Sequence, residues 1–123
     1  MKLNDLLSIV DAQGVHVSDR EIYDREFSMA FATDLMSDAL AFCKDDNEET
    51  IFLTSLTNVQ ALRTAEVLDL SLVLFVSGKP IDQQIINTAK MLDINIFQTQ
   101  IPMFEVCGLL FKAGILWFIK YIM

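Results

Sequence analysis

Five apolar residues in a row, Leu72-Val73-Leu74-Phe75-Val76, stand between Ser71 and the break Ser77-Gly78-Lys79-Pro80. The run is short, and it is rich in β-branched and aromatic side chains, so it reads as a strand. A strand without a polar position has no face to turn toward water. It belongs inside a parallel sheet covered on both sides, and that requirement points to an α/β fold.

The rest of the chain supplies the neighbours of this strand. FSMAFA (27–32), IFLT (51–54) and INIFQT (94–99) read as further strands. Between them the apolar spacing changes to a helical period. TDLMSDALAF, TNVQALRTAEVLD and IDQQIINTAKMLD are expected helices, the last with Ile81, Ile85, Ile86 and Ala89 on one side. Thr57 or Asn58 is the expected cap of the second helix, and Pro80 fits a first helical position. Pro102 opens a final helix, PMFEVCGLLFKAG, that Gly114 ends. Near the start, KLNDLLSIV spaces Leu3, Leu6, Leu7 and Val10 as a short helix. VHV (15–17) is a short strand, and the acidic SDREIYDRE is a surface connection. From residue 27 on, strand and helix alternate without a break, which predicts one α/β domain with a largely parallel sheet.

Charge and rare residues narrow the function classes. The formal net charge is −8, and twelve of the seventeen acidic residues precede residue 50. No basic cluster is present to meet a phosphate backbone, so a nucleic-acid partner is not expected. Cys43 and Cys107 have no CxxC partner and read as buried, reduced thiols, while the single histidine, His16, leaves no His-pair metal motif. Neither a metal nor a cofactor is expected. Asp5 interrupts the first apolar run, so no secretory leader is read there. Lys112 and Lys120 divide the apolar C-terminal stretch into pieces shorter than the ~20 residues of a spanning helix. The expectation is a cytoplasmic protein without a membrane partner.

Where chemistry would sit follows from the fold class, because ligands of open parallel sheets bind beyond the carboxyl ends of the strands. Those ends carry Thr33 and Asp34, then Thr54, Ser55, Thr57 and Asn58, then Ser77 and Gly78, then Thr99 and Gln100. Such residues ahead of helix N-termini are able to hold an anion or a nucleotide through backbone N–H groups. They are also the residue types that any helix cap prefers. In FATDLMSDALAF, Thr33 or Asp34 is read as capping the helix, with Asp38 one turn along on a solvated face. No catalytic partner for these carboxylates is apparent, and no P-loop, G-x-G-x-x-G or G-x-S-x-G pattern occurs. The expected ligand-binding set is Thr33, Asp34, Thr54, Thr57, Asn58, Ser77 and Gly78, with Asp34 the carboxylate nearest to any cation that accompanies a polyphosphate.

Several segments in their order resemble a free-standing DRTGG domain, related to the N-terminal part of HPr kinase/phosphorylase. They are MKLNDLLSIV, FATDLMSDALAF, TSLTNVQALRTAEVLDLSLVLFVSGKPIDQQII and INIFQTQIPMFEVCGLLFKAGI. The resemblance spans residues 1–114 and leaves an apolar tail, 115–123. Ser77-Gly78 stands where the family commonly has two glycines, and the residues that name the family are not present as a block. The resemblance implies a regulatory or ligand-sensing module without catalysis, often dimeric, found in some pyrophosphatases together with nucleotide-binding CBS domains. The kinase activity of HPr kinase belongs to its P-loop domain, a motif not found here.

The expected function is therefore a non-catalytic regulatory or ligand-sensing domain acting as a homodimer. The alternative is a module that binds an adenine nucleotide or small anion at the strand ends. A phosphotransferase or hydrolase comes last. The dimer is expected to form through the apolar tail, with Leu116, Trp117, Phe118, Ile119, Tyr121 and Ile122, or through the helix before it. The competing expectation is that the tail folds back over its own sheet as an edge strand or a helix turn.

Overall fold

The computed structural model describes residues 1–35 and 48–117. The helix expected after Asp34, with Asp38, and also Cys43 and the tail beyond Trp117 fall outside the described residues. In chain order the elements are α1 (Leu3–Ile9), β1 (Gln13–His16), a 3-10 turn (Arg20–Asp24), β2 (Met29–Ala32), β3 (Thr50–Thr54), α2 (Val59–Val67), β4 (Leu72–Phe75), α3 (Gln83–Leu92), β5 (Asn95–Gln98), α4 (Met103–Lys112) and β6 (Leu116–Trp117). Among the described residues the strands form one sheet in the order β1-β5-β4-β3-β2-β6. Every pairing is parallel except that of β1 with β5.

The uninterrupted run that opened the sequence reading lies at the centre. β4 runs between β3 and β5, and all four of its residues are buried. Leu72, Leu74 and Val76 enter the core on one face of the sheet, and Val73 and Phe75 enter the core on the other. This is the alternation a strand imposes, with both faces covered.

Topology decides which helix covers which face. β3, β4 and β5 lie side by side in chain order, so the two crossovers that join them advance in one direction and fall on one face. There α2 and α3 bring Ala61, Leu62, Ala65, Ile85 and Ala89 against Phe31, Phe52 and Phe75. Each of these three phenylalanines is at most 1% exposed, and burial of such a side chain is worth roughly 1.5–3 kcal/mol. After β5 the chain returns to the far edge, beside β2, and the reversed direction puts α4 on the opposite face. On that face Val106 and Leu110 of α4 join Leu3, Leu6 and Leu7 of α1.

Local details depart from the expectations at several points. The first strand covers Gln13–His16 rather than 15–17, because its place is set by pairing with β5. SDREIYDRE is more than a surface connection: its 3-10 turn drives Ile22 fully into the core. Buried Asn95 ties this turn down by accepting from the Ser18 and Asp19 N–H groups (2.8 and 3.1 Å) and donating to the Ser71 carbonyl (3.0 Å). Pro80 does not begin α3. Asp82 caps that helix instead, its carboxylate accepting from Ile85 N–H at 3.0 Å. Beyond Gly114 the chain stays with the sheet: Ile115 is buried, and Leu116 and Trp117 pair with Met29 and Ala30.

Candidate functional site

The crossovers out of β4 and β5 leave to opposite faces, so a topological switch point lies between their carboxyl ends, where ligands of open α/β sheets bind. Ser77 and Gly78, which follow β4, are both left-handed, with φ of 70° and 63°. In this conformation a non-glycine residue is strained by roughly 1–2 kcal/mol. The turn directs both N–H groups at the end of β5: Ser77 donates to the Ile101 carbonyl and Gly78 to the Thr99 carbonyl, each at 3.0 Å. Thr99 is itself held, its hydroxyl donating to the Val10 carbonyl at 2.7 Å and accepting from Ile101 N–H at 3.2 Å. The sheet end thus uses these two N–H groups itself. A Cβ on Gly78 would also meet the end of the Gln100 side chain, a flexible group that would have to swing aside.

Asp34 holds the end of β3, and the helix it was expected to cap falls outside the described residues. Its carboxylate turns sideways to the end of β3 and accepts from Ser55 N–H (2.6 Å), from the Thr54 hydroxyl (3.1 Å) and from the Ser55 hydroxyl. Partial burial pushes its pKa up, but the Ser55 and Thr54 hydrogen bonds and the charge of Lys79 outweigh that, and the pKa lies below its ordinary value. Both carboxylate oxygens thus already accept protein hydrogen bonds. Thr54 also accepts from Leu56 N–H at 3.2 Å. Thr33 stays local, its hydroxyl accepting from Leu35 N–H at 3.0 Å.

Asn58 caps α2, accepting from Ala61 N–H at 3.0 Å. It does so as one of the two residues expected to. Thr57 is half-buried beside it and makes no hydrogen bond among the described residues. The expected set thus divides in two. Thr54 and Ser55 both meet Asp34 directly, with Lys79 near enough to act on the carboxylate. Ser77 and Gly78 meet the Thr99–Ile101 segment instead.

One polar cavity was not foreseen. It has a volume of about 160 Å³ and is lined by Asp11, Gln13, Gly14, Val15, Gln98 and Gln100. The antiparallel pairing of β1 with β5 builds it, setting Gln13 opposite Gln98. The glutamines at the end of β5 were visible in the sequence, but nothing local signals that β1 runs beside them. Among the described residues no three of His, Cys, Asp and Glu are grouped to hold a metal ion. No helix there is long and apolar enough to cross a membrane.

No protein-family model matches the chain, and no curated protein does. Among solved structures, it is similar to the CBS and DRTGG domains of the regulatory region of Clostridium perfringens pyrophosphatase, crystallised in complex with the activator diadenosine tetraphosphate. The TM-score is 0.69 at 16% identity, over 92% of this chain and 47% of that one. The chain thus spans about half the length of that structure. At this identity the likeness defines the fold, which is a DRTGG-like α/β domain with a mostly parallel sheet.

Proposed function

We propose that this chain is a non-catalytic regulatory domain that senses a small molecule at the carboxyl ends of its strands and acts as a homodimer. In this reading residues 1–114 are the sensing unit, and the contact between copies comes from the C-terminal helix and the tail, 115–123. The observation that carries it is the fold shared with a regulatory region whose structure holds a nucleotide activator.

The arrangement of polar groups favours side chains as the ligand contacts. In this reading Thr57 and Lys79 contact the ligand, beside Thr33, Asp34, Thr54, Asn58, Ser77 and Gly78. An adenine nucleotide is the ligand class favoured, by analogy with diadenosine tetraphosphate in the similar structure. A polyphosphate approaching Asp34 in a chain of net charge −8 calls for a divalent cation to accompany it.

Thermal unfolding of the full chain with diadenosine tetraphosphate, ATP and AMP, each with and without magnesium, tests the reading. A ligand at a hundred times its dissociation constant stabilises the fold by about 2.7 kcal/mol. Lys79→Ala is expected to reduce that gain, beyond the small loss of free-protein stability from removing its charge beside Asp34. Unfolding curves that no nucleotide displaces at millimolar concentration would remove the nucleotide reading.

A further inference from the structure

α4 carries apolar residues on two sides. Val106 and Leu110 are buried against the sheet, and Met103, Cys107 and Leu109 border that contact. On the outer side Phe104 is 88% exposed and Phe111 71% exposed. With about 100° of turn per residue, positions 104, 108 and 111 lie within about 60° of each other. Gly108 therefore stands between the two rings, on the side opposite Val106 and Leu110. A Cβ there would meet nothing within 4 Å. Glu105 and Lys112, both exposed, border the same stripe two turns apart.

A second copy of this helix, running antiparallel about a twofold axis near Gly108, complements the stripe. It sets Phe104 against the partner's Phe111 and Glu105 against the partner's Lys112, twice over by symmetry. In a parallel copy the Glu105 and Lys112 side of one helix would lie across the seam from that of the other, and no such charge pair would form. The bare backbone at Gly108 lets the two helices approach closely at the centre. The two exposed rings supply roughly 300 Å² per copy, on the scale of 150–250 Å² for a fully buried aromatic side chain. That is well under half of the roughly 800 Å² per partner of a standard interface. An apolar groove of about 120 Å³ lies alongside, from Phe111 and Cys107 to Leu116, which is 42% exposed, and extends the contact.

We propose that the homodimer forms by antiparallel packing of α4 on α4 across a twofold axis at Gly108. This rests on the homodimer reading above and assigns its surface.

Sedimentation and cross-linking of the full chain test it together. The wild type is expected to sediment as a dimer at micromolar concentration. Phe104→Glu should weaken association by at least about thirtyfold, the scale of a hot-spot truncation, while its circular dichroism stays native. In a Cys43→Ser, Cys107→Ser background, Gly108→Cys should oxidise to a disulfide-linked dimer, and adding Phe104→Glu should abolish the link. A dimer that survives Phe104→Glu and does not link through position 108 overturns the α4 surface and leaves the homodimer reading standing. A wild-type chain that sediments as a monomer overturns both.

Discussion

α3 and α4 are each ten residues long and each packs on the same sheet, one per face. Inward they are alike: Ile85 and Ala89 of α3 do for one face what Val106 and Leu110 of α4 do for the other. Outward they differ. α3 shows water Gln83, Gln84, Asn87 and Lys90, and Gln83 donates to Asn87 one turn on at 2.9 Å. Met91 is its one exposed large apolar residue. α4 shows Phe104, Gly108 and Phe111. The fold constrains only the inner stripe of a covering helix, so its outer stripe is free to record what else the helix touches. Their starts differ too, since Asp82 caps α3 with its side chain and Pro102 gives α4 no such cap.

The inner stripes should prove equivalent under truncation. Leu110→Ala and Ile85→Ala each remove a side chain that is 2% exposed, and each is expected to cost about 2–5 kcal/mol in chemical denaturation. A loss below 1 kcal/mol at Leu110 would mean that α4 is only loosely docked. The caps come next in size: Asp82→Ala should cost about 1 kcal/mol, with no counterpart at Pro102. The helix interiors should then separate the two. Under conditions where the chain is monomeric, Gly108→Ala is expected to gain about 0.5–1 kcal/mol, because the added methyl enters open space. The gain would vanish if another part of the chain packed on Gly108.

The smallest expected effect lies away from both helices, at Asp34. Its folded-state pKa is lowered, so the ionised carboxylate is the form the fold favours. Its contribution is present above the ordinary carboxylate pKa of about 4 and fades as the pH falls through the lower folded value. Asp34→Asn should lower stability at neutral pH and flatten that acid limb, so that the two proteins converge at low pH. An acid limb identical in the wild type and the variant would show that Ser55 and Thr54 do not favour the charged form.

These contrasts also mark what the sequence made legible. The apolar run 72–76, the Asn58 cap and the end of α4 at Gly114 were readable because local chemistry alone decides them. The partners of Asp34 were not, because the residues that claim its carboxylate lie twenty positions along, on the next strand. Ile22 was hidden in a polar stretch for a similar reason, its burial depending on the distant Asn95. Ser77 and Gly78 were found as residues at a strand end, but their N–H groups turned out to serve the end of β5. Residue type placed the polar groups at the strand ends, and only the pairing of strands determined which of them remain available.

The most direct test of the contrast between the two helices is hydrogen–deuterium exchange on the full chain at two concentrations, one below and one above its association midpoint. Protection in Met103–Lys112 is expected to rise with concentration while protection in Gln83–Leu92 stays unchanged. Protection that rises in Gln83–Leu92, or in neither helix while the chain associates, would contradict the account.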